Sequence, residues 1–326
     1  MKVVITGGAG FLGRMLAQAI FARGTLTGPS GKPERVDEMV LFDASAGPSL
    51  PASLARAKLV LGDISERAAI EALVDRPDLS LFHLASIVSA GAEQDFDLAL
   101  RVNLDGGRHI LEALRRLGAR PRLVFTSSIA VFGPPAMGAS VDDLSKETPQ
   151  TTYGVTKAIG ELMVNDYTRK GYLDGRAARL PTIVVRPGKP NKAASSFASG
   201  VFREPLNGET CRLPVALDTR MPVSGYRTAI ENLIRLHEVD GSKIGPDRAV
   251  GFPSLDVSVG EMIQGLKRVA GARPLGPIEL TPDPEIQRIV AGWASRTRWD
   301  KAKSLGLASD PNIDSIVSTY IEDFLQ

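Results

Sequence analysis

MKVVITGGAGFLG, residues 1–13, is a short β-branched apolar run that breaks into glycines and opens onto the periodic segment Phe11–Arg23. Such a run, bounded by glycine, predicts a buried strand, and the helical spacing of apolar residues after it predicts a helix. Gly7, Gly8, Gly10 and Gly13 satisfy both G-x-G-x-x-G and G-x-x-G-x-x-G. Without Cβ atoms the backbone can turn sharply, admit a pyrophosphate and pack helix on strand. The free amides of the helix end then face the phosphates. The string alone is weak; its place between a strand and a helix makes it a dinucleotide-binding turn.

Working outward, residues 24–38 are rich in Gly, Pro and charge and read as a surface loop before a strand at 39–43. Further apolar runs at 57–61, 79–84 and 123–126 predict strands, with helical patterns between them, the longest at 93–117. A helix over 152–170 and a strand over 178–186 follow. This alternation predicts an α/β fold, a Rossmann-type parallel sheet with helices on both faces. Beyond Pro187 short strands and prolines dominate, with helical patterns at 226–238, 259–270, 284–293 and 313–324. The expected division is a nucleotide-binding domain over 1–188 and a smaller, mixed, mainly substrate-binding lobe over 189–326, with elements free to cross that border.

Asp43 ends the second long strand. An acid there accepts hydrogen bonds from both adenosine ribose hydroxyls and repels a 2′-phosphate, so NAD is expected rather than NADP. Asp37, the rival acid by counting, lies before the strand. Asp63 follows the third strand and is expected at the adenine end, an Asx turn or helix cap being its alternative role.

Tyr153 and Lys157 stand four residues apart near the start of a predicted helix and so share a face. A tyrosine that exchanges a proton with a hydroxyl must have its pKa of ~10 lowered, and a neighbouring ammonium does this. Ser128 follows an apolar strand and can hydrogen-bond the reacting oxygen from the carboxyl edge of the sheet; Ser127 is its competitor. His83 sits at a strand end, where a buried, hydrogen-bonded histidine is expected.

The chain has 326 residues, 43% hydrophobic and 23% charged, with a net charge of +2. Scattered basic residues leave no footprint for nucleic acid. Cys211, the one cysteine, excludes an internal disulfide and an all-cysteine metal site. The three histidines, His83, His109 and His237, lack metal-site spacing, and no metal is expected. With no signal peptide or long apolar stretch in view, the expectation is a cytoplasmic protein without a membrane partner.

TGGAGFLG at Thr6–Gly13, Asp43, Gly62-Asp63-Ile64, HLAS at His83–Ser86, Asn103 in RVNLDG, TSSIAVFG at Thr126–Gly133 and YGVTK at Tyr153–Lys157 occur in order. By these landmarks the chain resembles the extended short-chain dehydrogenase/reductase superfamily, in its epimerase/dehydratase-like branch. The resemblance implies NAD pyrophosphate against Gly7, Gly10, Phe11, Leu12 and Gly13, with adenine near Asp63 and Ile64. It places the nicotinamide among Ala85, Ser128, Tyr153, Lys157 and Pro187, with Leu84 among the other cofactor contacts and Asn103 steadying the nearby loop. Phe132 stands where the family string has tyrosine, a position that is not the proton donor.

The activity implied is NAD-dependent oxidation of a hydroxyl of a small sugar acid. An NDP-sugar epimerase of the same superfamily and a non-catalytic NAD-binding protein are the alternatives. Dehydration is disfavoured, because elimination wants an acid beside Ser128, where Ile129 and Ala130 stand. The carboxylate of a sugar acid needs charge-assisted partners. Lys192 and Ser195 are the expected contacts, then Asn191 and Ser196, with Arg220, placed in a loop, as the rival cation. Ser86 and Ser89 are expected at the substrate hydroxyls, and Arg186, read as part of its strand, is expected to be structural. The apolar stripes on the helices at 93–117 and 152–170, with the family's habit of pairing them, predict a homodimer.

Overall fold

The computed structural model describes residues 1–134, 140–190 and 193–325. Its centre is a seven-stranded sheet in the order Ala249–Gly251, Asp174–Leu180, Arg122–Ser128, Leu79–His83, Lys2–Thr6, Glu38–Asp43, Lys58–Leu61. Every neighbouring pair in it is parallel. The all-buried strand Lys2–Thr6 explains its unbroken apolar run, since both faces of a parallel sheet are covered. Val3 and Ile5 pack into one core with Leu16 and Ile20 of the helix Phe11–Arg23 and Leu233 of the helix Tyr226–Glu238. Val4 points the other way, into a core with Ile110 and Leu114 of the helix Gly106–Leu117 and Val164 of the helix Thr152–Arg169.

A second lobe has its own core. It is built on a three-stranded sheet in the order Thr182–Val184, Arg220–Gly225, Leu255–Ser258. Helices Ser196–Leu206, Val259–Ala270 and Ile313–Phe324 cover it through Phe202, Met262, Leu266 and Val317. The predicted helices at 226–238, 259–270 and 313–324 form with those bounds.

Several expectations are corrected. The strand expected over 178–186 is two strands, Asp174–Leu180 and Thr182–Val184, in different sheets. Pro181 between them has no N–H to give a ladder, so the chain crosses there from one sheet to the other. Arg186 consequently lies beyond the strand, in the loop. Arg220, expected in a loop, opens the strand Arg220–Gly225. The helix expected over 93–117 is broken: Ser89–Gln94 ends at Asp95, whose carboxylate accepts from the Leu98 amide at 2.9 Å and starts a new turn. Residues 100–105 are then wound as a π-helix before Gly106–Leu117. The helix expected over 284–293 stops at Ala291, before Gly292. The loop expected over 24–38 contains a small antiparallel hairpin, Thr25–Thr27 with Pro33–Arg35.

Candidate active site

The strand order reverses between Lys2–Thr6 and Leu79–His83, where doubly wound sheets open a crevice for ligands. Gly7 there has φ +70°, and a Cβ on it would stand 2.8 Å from the Ala85 amide nitrogen. A Cβ on Gly13 would stand 2.4 Å from the Gly7 carbonyl oxygen. One glycine therefore lets the turn close on Leu84 and Ala85, and the other lets the helix pack on the turn. Gly10 caps that helix in an extended conformation without a side-chain bond, so the first-turn amides are presented to an anion.

Asp43 is oriented toward the turn, its Oδ2 accepting from the Ala9 amide at 3.1 Å. This cradle fits NAD: glycines where Cβ atoms would collide, open helix amides for the pyrophosphate, and a carboxylate for the ribose. Other expected contacts fall differently. The Phe11 ring turns to Tyr226, 5.2 Å between centroids, and Leu12 packs on the core, which leaves their main chain for the cofactor. Exposed Asp63 accepts from both the amide and the hydroxyl of Ser65 at 2.8 Å, the Asx-turn role, and these bonds hold its carboxyl below the usual range. Ile64 is buried beneath Gly106, and Pro187 is half-buried in the loop beyond Val185.

Thr151 accepts from the Gly154 amide at 3.1 Å and so starts the helix that carries Tyr153 and Lys157. Ser128 and Tyr153 line the same cavity, and the Ser128 hydroxyl is near enough to the phenol to act on its pKa. Buried Lys157 donates from Nζ to the Thr126 carbonyl at 2.8 Å and stands 5.5 Å from the centre of the Tyr153 ring. The expected lowering of Tyr153 is not what this arrangement gives. Burial pushes the phenol up and the Ser128 hydroxyl only partly opposes it. Burial also pushes Lys157 down to about 7, with Glu161 opposing.

The choice between the two serines follows from Glu161. This buried carboxylate, one turn beyond Lys157, takes the Ser127 hydroxyl and pairs with Arg179 through both oxygens, at 2.6 to 3.1 Å. Glu147 reaches Arg179 from the loop before the helix, and burial pushes it up to about 7. Ser127 is thus committed to structure, whereas Ser128 lines a cavity together with Tyr153. His83 is a buried core histidine, its Nδ1 2.8 Å from Thr6 Oγ1, and burial pushes it down to about 3.

Asn103 is placed by the π-helical turn. Its Oδ1 accepts from the Ile87 amide at 2.8 Å and the Ser86 hydroxyl at 3.1 Å. Its Nδ2 donates to the Ile87 carbonyl at 3.0 Å and to Thr156 Oγ1 at 3.2 Å. Thr156 in turn donates to the Tyr153 carbonyl. Asn103 therefore ties the loop that faces the cofactor cradle to the helix that carries Tyr153 and Lys157, and Ser86 is part of that tie.

A cavity of about 200 Å³ opens beside these groups, lined by Ser89, Ser128, Thr151, Tyr153, Thr182, Ser195 and Trp293 among others. Ser195 precedes the helix Ser196–Leu206 without capping it, so its hydroxyl is not spent there. Ser196 is in the first turn of that helix and is not among the lining residues. Arg220 does not line the cavity either: it pairs with Glu261 at 3.1 Å and donates to the Asp256 carbonyl at 2.6 Å. Asn191 and Lys192 lie outside the described residues. Thr151, Thr182 and Trp293 were missed by sequence reasoning, although Pro181 and the capping threonine were available as signals. A larger groove of about 770 Å³ runs between the helices Phe11–Arg23 and Tyr226–Glu238 and contains none of this chemistry.

The chain is 44% identical to D-erythronate dehydrogenase of Cupriavidus necator, covering 99% of this chain and 98% of the other. It is 38% identical to D-erythronate dehydrogenase of Haemophilus influenzae, covering 99% of each. A crystal structure described as a nucleoside-diphosphate-sugar epimerase from Agrobacterium tumefaciens superposes with a TM-score of 0.91 at 40% identity, over 100% of this chain and 94% of that one. Residues 3–223 match the NAD dependent epimerase/dehydratase family, and with the glycine cradle, Asp43 and the Ser128–Tyr153–Lys157 set in place the chain belongs to that family.

Proposed function

We propose that the protein is an NAD-dependent dehydrogenase that oxidises a hydroxyl of a small sugar acid, D-erythronate to its 2-oxo acid. The reading is carried by one observation: an end-to-end match to D-erythronate dehydrogenases, in a chain whose Ser128–Tyr153 pair borders a cavity of about 200 Å³. Cavities for drug-sized ligands run to ~300–1,000 Å³. A four-carbon acid suits the smaller volume, and a nucleotide sugar does not, which favours this reading over the epimerase alternative.

Gly7, Gly10, Gly13 and Asp43 would hold NAD, with Lys157 near its nicotinamide ribose. Bound NAD supplies the acceptor for the hydride leaving the carbinol carbon. Ser128 donates a hydrogen bond to the substrate oxygen and keeps it against Tyr153, which takes the hydroxyl proton. Burial opposes the phenolate that this requires, so the ammonium of Lys157 and the hydroxyl of Ser128 must stabilise it. Glu161 supports that ammonium from below. Ser89 and Ser195 offer hydroxyls to the acid on opposite walls, and Lys192, next to the lining residue Ala193, is the proposed charge partner of the carboxylate.

We place the enzyme in the cytoplasm as a homodimer. Among the described residues no helix is long and apolar enough to cross a membrane. Val155 and Leu162, two turns apart on the helix Thr152–Arg169, are 40% and 64% exposed, and Phe96 is 58% exposed. This is the apolar stripe that a symmetry mate would cover. Substrate choice is tested by comparing initial rates on D-erythronate and on an NDP-sugar with NAD present. Turnover of the NDP-sugar alone overturns the reading.

A further inference from the structure

A second, smaller cavity of about 80 Å³ adjoins the substrate cavity, lined by Glu93, Phe132, Gln150 and Arg288 among others. Three residues line both spaces: Ala130, Thr151 and Trp293. Two of them belong to the fixed frame of the site. The Ala130 carbonyl is packed so closely on the catalytic helix that a Cβ on Gly154 would stand 2.2 Å from it. Thr151 caps that helix through Gly154. Neither has a bulky side chain.

Trp293 has one, and it arrives from the other lobe. It follows the helix Pro284–Ala291, its amide donates to the Val290 carbonyl at 3.0 Å, and its side chain packs on the core of the second lobe. The other tryptophan, Trp299, is wholly in the main core, whereas Trp293 is half-buried and borders both cavities. We propose that the Trp293 indole is the end wall of the substrate cavity and sets the longest sugar acid the enzyme accepts. The inference rests on the sugar-acid reading of the site and adds to it the residue that fixes chain length.

Volume supports the assignment. A water takes up ~30 Å³ of liquid volume, so the chamber beyond the indole has room for two or three groups of that size, the equivalent of at least one further hydroxylated carbon. Gln150 and Arg288 on its lining can hydrogen-bond such groups. Opening the wall joins a chamber that ends at the reacting hydroxyl to one that can take the longer tail.

The test compares wild type, Trp293→Ala and Trp293→Phe on four-, five- and six-carbon aldonates of matched configuration at the reacting end. Binding of each acid is measured by titration in the presence of NADH, and turnover is measured with NAD. Adding or removing one methylene in a fitted pocket changes selectivity ~10–200-fold. In Trp293→Ala the six-carbon to four-carbon ratio, in binding and in kcat/KM, should therefore rise by ~10-fold or more, with a smaller rise in Trp293→Phe. An Ala variant whose ratio stays within about twofold of wild type overturns the proposal. If that variant does not fold, an unchanged ratio in Trp293→Phe does the same. Binding separates the two claims: a wild type that turns over no aldonate contradicts the function, while the length limit is still decided by the binding ratios.

Discussion

Replacing Asn103 by alanine removes one side chain and four hydrogen bonds from the junction between cofactor loop and catalytic helix. Three of the partners keep another bond: Ser86 Oγ and the Ile87 carbonyl bond each other, and Thr156 Oγ1 still donates to the Tyr153 carbonyl. The Ile87 amide is left without its acceptor. An orphaned donor costs up to ~1–3 kcal/mol when fully buried and less at half-buried Ile87, and each lost bond that leaves its partner served costs ~0.5–1.5 kcal/mol. Water entering the vacated space recovers part of this, which leaves about 2–4 kcal/mol. A chain of this size unfolds with an entropy of roughly 0.7 kcal/mol/K, so Tm should fall by ~3–6 °C. The loop at Ala85 also loses its tether to the helix of Tyr153, so KM for NAD should rise and kcat should fall together. Calorimetry with initial rates over an NAD titration reads both quantities. A Tm within about 1 °C of wild type, with KM for NAD unchanged, would show that Asn103 does not hold the site together.

Asp43→Ala should weaken NAD and relax discrimination against NADP, read as the ratio of kcat/KM for the two cofactors; a wild type that prefers NADP refutes the ribose role. Lys192→Met should raise KM for the sugar acid ~10-fold or more with NAD affinity unchanged, and Arg220→Met should not, because Arg220 is engaged with Glu261 and Asp256. The reverse pattern would move the carboxylate to the second lobe. Stability should decline as pH falls from 6.5 toward 4.5. Burial holds His83 at about 3 and His237 at about 4, so the unfolded chain takes up protons there that the folded one refuses. Glu147, raised to about 7, offsets one of the two, leaving ~1.4 kcal/mol per pH unit; Tm that is flat or rising on acidification over that range contradicts the burial argument. Leu162→Glu puts a charge in the middle of the apolar stripe and should shift the solution mass from two chains to one; a wild-type mass of one chain refutes the dimer.

Local pattern made the nucleotide-binding half legible. The strand, glycine turn and helix at the start, Asp43 at a strand end and the Tyr153–Lys157 spacing are short-range signals, and each lies where the pattern put it. What was not legible depends on packing across long separations. Ser127 and Ser128 are adjacent in sequence and look alike; only Glu161, brought beneath Ser127 by the catalytic helix, distinguishes them. Helical periodicity over 93–117 hides a π-helical run at 100–105, and the bonds of Asn103 within it go to Ser86, Ile87 and Thr156, far along the chain. Pro181 is a visible break inside an apolar run, and it is where the strand splits and Thr182 comes to the cavity. Trp293 carried no local signal: its part in the site comes from the second lobe folding over the first.

Mixing the purified protein with NAD and D-erythronate and following NADH formation, with Tyr153→Phe as the matched control, tests the proposed dehydrogenase activity most directly. The variant keeps the pocket volume and loses only the exchangeable proton, so the wild type should form NADH and the variant should be slower by ~10²-fold or more at similar NAD affinity. No NADH from wild type with D-erythronate or any four- to six-carbon sugar acid, or a Tyr153→Phe enzyme with near-normal kcat, would contradict it.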